Sequence, residues 1–192
     1  EVHTDVSATA VVGVLRRGTG GRSLALRAEL DALPIQEAAD VPYASRNPGV
    51  MHACGHDGHS AILLGAAKLL AEGGGFDGTV LFVFQPAEEV VGGGRRMVAD
   101  GVFERFPADA VFALHNWPGV PEGHIAVRTG PQMAAVDDFE LRFSGKGCHA
   151  AMPHLGDDPI LAAADFVAAA QRVVSRSIDP LKPAVLSVTQ IH

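Results

Sequence analysis

The chain has 192 residues, of which 47% are hydrophobic, and a formal net charge of −7 at pH 7. This length suits one or two domains with a buried core, and the negative charge argues against a nucleic-acid partner, since such proteins normally carry a basic face. No apolar run is long enough to cross a bilayer, and the first residues lack the pattern of a signal peptide. We therefore expect a cytoplasmic protein with no membrane partner. Cys54 and Cys148 each lie near a histidine in the sequence, which disfavours a disulfide framework.

Apolar segments predict the elements of the first part of the chain. In chain order they are strands over residues 9–15 and 24–30, a helix over 60–70, a strand over 78–84, a short helix near 95–100 and a strand over 110–114. A polar turn separates the first two strands, so we predict that they form a hairpin or lie side by side. The long helix should stop at the three glycines of residues 73–75. The strand over 78–84 is apolar throughout, as expected of a central strand covered on both faces.

Potential ligands or bases follow three of these apolar strands, each where the strand ends. They are Asp31, the adjacent pair Glu88 and Glu89, and His115. In open α/β sheets, sites form outside the carboxyl ends of the strands, so we expect these side chains to converge. Two neighbouring carboxylates can divide the work: one binds a metal, and the other takes a proton from water that the metal acidifies.

Residues 51–59, MHACGHDGH, concentrate three imidazoles, a thiol and a carboxylate just before the predicted helix. The start of that helix places His56 and Asp57 near the N-cap. If the preceding segment is extended, His52, Cys54 and His56 point the same way, because residues two apart share a face. Thiolate and imidazole are preferred ligands of zinc and its first-row neighbours, so the segment indicates a metal site. Two alternatives stay open: a cysteine hydrolase that uses Cys54 as nucleophile, and a metal-binding protein without catalysis.

The last part of the chain predicts a second, smaller α+β domain that begins near residues 118–130. Its predicted elements are strands over 124–128, 138–143 and 183–191 and a helix over 160–175. Asp158 and Pro159 fit the N-cap and the first helical position of that helix. His149 follows a Gly-Lys-Gly turn in this part, and nothing in its local sequence separates it from an ordinary loop histidine.

Four segments carry a resemblance to a known family: residues 27–34 (RAELDALP), 51–59 (MHACGHDGH), 85–89 (QPAEE) and 145–154 (GKGCHAAMPH). Together they resemble the amidohydrolase branch of the M20 metallopeptidases, which includes hippurate hydrolases, N-acyl-amino-acid amidohydrolases and plant auxin-conjugate hydrolases. The resemblance implies an α/β catalytic domain, with a central, mostly parallel sheet flanked by helices, and an inserted smaller α+β lid and dimerisation domain. Residues 1–118 are then expected to be the N-terminal part of the catalytic domain, and residues 119–192 the start of the lid.

The resemblance also implies a role for each matching residue. Four positions match the family's ligands for two divalent ions (Mn, Zn, Co or Ni): Cys54, His56, Glu89 and His115. Glu88 matches the general base, and Asp31 lies beside the site and orients a ligand. His149, on the lid, is expected to bind substrate and stabilise the oxyanion at the active site of the partner in a homodimer.

The implied reaction is metal-dependent hydrolysis of the amide bond of a small-molecule N-acyl amino acid, or of a small peptide, releasing a carboxylic acid and an amino acid. The family's last metal ligand is a histidine near the C-terminus of the full-length enzyme, which is expected beyond residue 192. On the sequence alone, we therefore expect the chain to be a fragment of both domains that is inactive by itself.

Overall fold

A computed structural model describes residues 1–192, with all side chains except those of residues 90 and 91. The chain forms two compact units, Glu1–Ala126 and Val127–His192. The elements described in the first unit are β1 (Val2–His3), β2 (Val11–Arg17), β3 (Ser23–Glu29), α1 (His56–Gly73), β4 (Gly78–Gln85), α2 (Glu88–Val91), α3 (Gly93–Ala99), α4 (Val102–Arg105) and β5 (Ala110–Ala113). In the described part of the chain, no helix is both long and apolar enough to span a membrane.

The five strands form one mixed sheet in the order β1-β2-β4-β3-β5. Strand β3 is parallel to both β4 and β5, whereas β2 is antiparallel to both β1 and β4. The sheet is therefore an α/β sheet as predicted, but its pairings are evenly divided and the expectation of a mostly parallel sheet is wrong. The parallel strands β3, β4 and β5 are the ones that the predicted ligands follow in the chain.

The predicted pairing of the first two strands is also wrong, because β4 lies between β2 and β3. Arg17 at the end of β2 is paired with Gly78, and Ser23 at the start of β3 is paired with Thr79. The turn between them crosses the start of β4, where the Asp77 carboxylate accepts hydrogen bonds from the backbone N–H groups of residues 19 and 20 at 2.8 and 2.6 Å. Strand β4 is apolar on both faces, so the central position buries more of its surface than an edge would.

Two apolar clusters cover the two faces of the sheet. On one face Val80, Phe82 and Phe84 of β4 pack with Leu63 of α1, and on the other Leu81 and Val83 pack against α3 and α4. Alternate residues of one strand thus enter opposite clusters, as the period of two in a β-strand requires. The central, doubly covered position predicted for residues 78–84 is confirmed.

Helix α1 is longer than predicted, because it begins at His56 itself. Its N-cap is Gly55, whose φ of 84° lies in the left-handed region that glycine adopts without strain. The helix ends as predicted at the glycines: Gly74 is the C-cap, and its N–H donates to the carbonyl of Leu70 at 3.1 Å. The left-handed turn at Gly55 places the first helical side chain at the edge of the sheet.

The second unit contains α5 (Pro159–Arg172), which continues as a π-helical turn over Val173–Ser177. Its predicted start is confirmed: the Asp158 carboxylate accepts from the N–H groups of Ile160 and Leu161 at 2.9 and 3.1 Å. The strands predicted over 124–128, 138–143 and 183–191 are wrong, since the described residues form no strand there. Alternating apolar residues make a strand only where a neighbour pairs with the backbone, and these segments have none in the described chain.

Candidate metal centre

One edge of the sheet gathers the predicted ligands. Strands β3, β4 and β5 run parallel, so their carboxyl ends meet at this edge, and Asp31, Glu88 with Glu89, and His115 follow them in the chain. Helix α1 begins at the same edge and brings His56, with Cys54 two residues earlier. The donor atoms of the residues that follow these strands lie close together, which confirms the predicted convergence.

These donor atoms form two groups that share His56. One ligand atom each from Cys54, His56 and His115 lie within 4.8 Å of one another, and the same holds for His56, Glu88 and Glu89. The Cys54 Sγ lies 3.5 Å from the His115 Nε2, and the His56 Nε2 lies 3.8 Å from a carboxylate oxygen of Glu89. A thiol, two imidazoles and two carboxylates therefore face a common space.

Both imidazoles are held with Nε2 towards that space. The His56 Nδ1 donates to the main-chain oxygen of Asp31 at 2.9 Å, and the His115 Nδ1 donates to the main-chain oxygen of Asn116 at 2.6 Å. A ring whose Nδ1–H is donated to a carbonyl keeps Nε2 as a free lone pair, which is the usual arrangement of a metal-binding histidine. The His56 side chain is only 1% exposed, so it has little freedom to turn away.

Asp31 supports this arrangement from the inner side. Its Oδ2 accepts from the backbone N–H of Glu89 at 3.0 Å, and its Oδ1 lies 3.4 Å from the His56 Nδ1. Burial alone raises the pKa of Asp31, but the N–H groups of Glu89 and Glu88 and the nearby His56 outweigh it and hold that pKa below the ordinary value. Among the described side chains, its Oδ1 is a buried atom without a hydrogen-bond partner, which suits a nearby cation.

The environment of Cys54 argues against a nucleophilic thiol. Burial, followed by the hydrogen bond and charge of Glu89 and the charges of Glu88 and Glu29, raises the pKa of the thiol to about 11. A thiol with this pKa is protonated at neutral pH, whereas a nucleophilic cysteine needs a lowered pKa. Negative donors crowded in this way fit a divalent cation, which offsets their repulsion and favours the thiolate.

One predicted position, His52, lies apart from this cluster. His52 is exposed and belongs to neither donor group, so the shared face expected of His52, Cys54 and His56 in an extended segment is not formed, although the donor atoms of Cys54 and His56 do converge. The segment before α1 bends after its single bridge at Met51 rather than continuing as a strand. His149 lies in the second unit, where its Nδ1 accepts from the N–H of Ala151 at 3.1 Å; its expected contact with substrate stays a prediction.

Sequence reasoning assigned no role to two buried residues beside the cluster, Glu29 and His59. They are 3% and 2% exposed, and their side chains are hydrogen-bonded to each other. One signal was available: His59 lies three residues after His56, and that spacing places two side chains on one face of a helix.

The structure thus defines a mixed α/β domain with a cluster of metal-ligand type at the carboxyl ends of its parallel strands. Comparison with known sequences identifies the family: the chain belongs to Peptidase family M20/M25/M40, whose sequence model matches residues 25–190. The resemblance found in the sequence motifs is confirmed.

Individual relatives agree with this family. The chain is 44% identical to a hippurate hydrolase of Campylobacter jejuni (98% of this chain, 49% of the relative) and 47% identical to an N-acyl-L-amino acid amidohydrolase of Geobacillus stearothermophilus (98% and 52%). A solved structure from Bacillus subtilis, described as a dinuclear metal-binding peptidase of the M20 family, superposes with a TM-score of 0.65 at 37% identity, over 90% of this chain and 46% of that one. The chain spans about half the length of the curated relatives that it matches.

Proposed function

We propose that the complete protein hydrolyses the amide bond of small N-acyl amino acids or small peptides, with two divalent metal ions as cofactors. One observation carries the proposal: the thiol, imidazole and carboxylate donors of Cys54, His56, His115, Glu88 and Glu89 converge at one sheet edge. The relatives described as hippurate hydrolase and N-acyl-L-amino acid amidohydrolase support the reaction class, and the dinuclear peptidase supports two ions.

Four residues would hold the ions: Cys54, His56, Glu89 and His115. When bound, the ions supply Lewis acidity that polarises an amide carbonyl and lowers the pKa of water. Mixed sulfur, nitrogen and oxygen donors accept Mn, Zn, Co or Ni, so the donor set admits all four. Because the relatives are about twice as long as this chain, we propose that a further ligand comes from outside residues 1–192 and that activity requires it.

Glu88 would act as the general base. Its carboxylate belongs to the donor group of His56 and Glu89, so it lies within reach of the same space. In the proposed step Glu88 takes a proton from the attacking water, the water oxygen bonds to the carbonyl carbon, and the C–N bond breaks. Glu88 then returns the proton to the leaving nitrogen, so that a carboxylic acid and an amine are released.

The second unit would serve as the lid and dimerisation domain. We propose that His149, in a homodimer, binds substrate and stabilises the negative oxygen that develops on the carbonyl. This role draws on the motif over residues 145–154, GKGCHAAMPH. It predicts that removing the imidazole of His149 lowers turnover while metal binding is retained.

The test is hydrolysis of N-acetyl, N-benzoyl and indole-acetyl amino acids by the complete protein, with and without a chelator. Activity that a chelator abolishes and a divalent metal restores supports the proposal, and the panel identifies the preferred acyl group. Activity that survives the chelator but is lost to a thiol alkylator would point to Cys54 as nucleophile instead. Metal binding without turnover of any amide would identify a non-catalytic metal-binding protein.

A further inference from the structure

A buried acid–base pair lies directly beside the candidate metal centre without belonging to its proposed ligands. The His59 Nδ1 lies 2.9 Å from a carboxylate oxygen of Glu29, and both side chains are almost wholly inaccessible to solvent. Buried polar groups of this kind are costly unless each is fully hydrogen-bonded, so their retention calls for an explanation.

Glu29 is fixed from the side of the sheet. The Arg27 guanidinium pairs with its carboxylate and also donates from Nε to the Gln85 side chain at 2.9 Å, while the Ser60 hydroxyl donates to the main-chain oxygen of Glu29 at 2.7 Å. Burial raises the pKa of Glu29, but hydrogen bonds from its backbone and from His59, together with the charge of Arg27, outweigh that effect and lower the pKa. The carboxylate is therefore a fixed, ionised acceptor for the His59 ring.

The other ring nitrogen of His59 holds the segment after β5. The backbone N–H of Asn116 donates to the His59 Nε2 at 2.9 Å, which assigns the ring proton to Nδ1, facing Glu29. The Asn116 side chain also lies against Nε2, with its Oδ1 at 2.9 Å. With Nε2 as an acceptor, that amide fits with its NH₂ group turned towards the ring, since the two orientations have the same shape.

The same residue, Asn116, carries the contact that orients the candidate ligand. The main-chain oxygen of Asn116 accepts from the His115 Nδ1, and the His115 Nε2 faces the Cys54 thiol. In addition, the His59 ring packs edge-on against the His115 ring, with 4.6 Å between their centroids. A continuous set of contacts thus runs from Glu29 through His59 and Asn116 to His115.

From these contacts we infer that His59 and Glu29 are positioning residues, which hold the His115–Asn116 peptide so that the His115 Nε2 points at the metal centre. The inference rests on the proposed function, because it assumes that His115 binds metal. Donor atoms of Glu29, His56 and His59 also lie within 4.8 Å of one another, which could suggest a further ligand group. We assign His59 to positioning instead, since both its ring nitrogens already have protein partners.

The test is Co²⁺ titration of the complete, metal-free protein, in which affinity and the visible absorption spectrum are both recorded. His59→Phe keeps an aromatic ring but removes both hydrogen bonds, and Glu29→Gln removes the charge. Val12→Ala is the control, because Val12 is a buried residue in the cluster on the α3 and α4 face of the sheet. Losing a partner outside the ligand set typically weakens metal affinity about 10- to 100-fold. We expect a loss of this size, with an altered cobalt spectrum, in the two variants but not in Val12→Ala.

Circular dichroism melts distinguish a specific loss of metal affinity from a loss of folding. If His59→Phe is unfolded at the titration temperature, Glu29→Gln decides the question. Folded variants that bind Co²⁺ with wild-type affinity and spectrum would overturn the positioning role while leaving the proposed function intact. Failure of the wild-type protein to bind Co²⁺ would overturn the proposed function, and the positioning role with it.

Discussion

The Cys54 Sγ lies 3.5 Å from the His115 Nε2, although 61 positions separate the two residues in the chain. Cys54 is placed by the left-handed turn before α1. His115 is placed by the end of β5, which is hydrogen-bonded to β3. Two independent elements thus deliver soft and borderline donors to one point.

Replacing Cys54 with serine should weaken metal binding strongly. The hydroxyl of serine is a poorer ligand than a thiolate for zinc and its neighbours, so we expect a loss larger than the roughly 10- to 100-fold typical of residues outside the ligand set. Isothermal titration with Zn²⁺ measures the effect. Cys148→Ser is the matched control, because Cys148 is an exposed free cysteine in the second unit. Equal losses in the two variants would contradict the assignment.

Gly55 should not tolerate a side chain. Its φ of 84° is unfavourable for other residues by about 1–2 kcal/mol, and a Cβ there would also meet the side-chain amide of Asn116. We expect Gly55→Ala to lower the free energy of unfolding by at least that amount in a urea titration. Gly65→Ala, at an exposed position within α1 with open space around its Cβ, should instead stabilise by about 0.5–1 kcal/mol. A Gly55→Ala variant as stable as wild type, or more stable, would show that the left-handed conformation of Gly55 is unimportant.

The Ser7–Asp100 hydrogen bond predicts a pH-dependent contribution to stability. The Ser7 hydroxyl, at 2.6 Å, is the largest cause that lowers the pKa of Asp100 below its ordinary 3.8, followed by Arg96. A carboxyl whose pKa is lowered on folding stabilises the protein above its unfolded pKa, and this is lost as the pH falls through the folded pKa. Ser7→Ala should therefore lower the melting temperature at pH 7, and the difference from wild type should shrink below about pH 4.

Melting curves from pH 2 to 7 test this prediction, with the exposed Ser144→Ala as control. A Ser7→Ala deficit that stays constant down to pH 2 would mean that the effect comes from packing rather than from the ionised carboxylate.

The sequence predicted where the donor side chains converge better than it predicted the order of the strands. Asp31, Glu89 and His115 could be placed together because each follows an apolar strand, and parallel strands end at one edge. The neighbours of β2 could not be predicted in the same way, because its partner β4 comes much later in the chain. Local turn chemistry favours a hairpin, but the burial of both faces of β4 decides the order.

The limits of sequence reasoning are also clear at His59 and in the second unit. The pairing of His59 with Glu29 joins residues 30 positions apart, and no local pattern encodes it. The strands predicted over 138–143 and 183–191 rest on the local sequence alone, whereas a strand also needs a hydrogen-bonded neighbour. By contrast, the start of α5 was predictable because Asp158 caps it within three residues.

The proposed division of roles between the adjacent residues Glu88 and Glu89 is tested by comparing their glutamine variants. We predict that Glu88→Gln retains wild-type metal content, measured by atomic emission, but loses about 10²- to 10⁴-fold in kcat on an N-acyl amino acid, the range expected for a missing general base. Glu89→Gln should lose metal and activity together, and added metal should partly restore turnover. If Glu88→Gln instead keeps wild-type turnover, or loses its metal as Glu89→Gln does, the proposed division between base and ligand is contradicted.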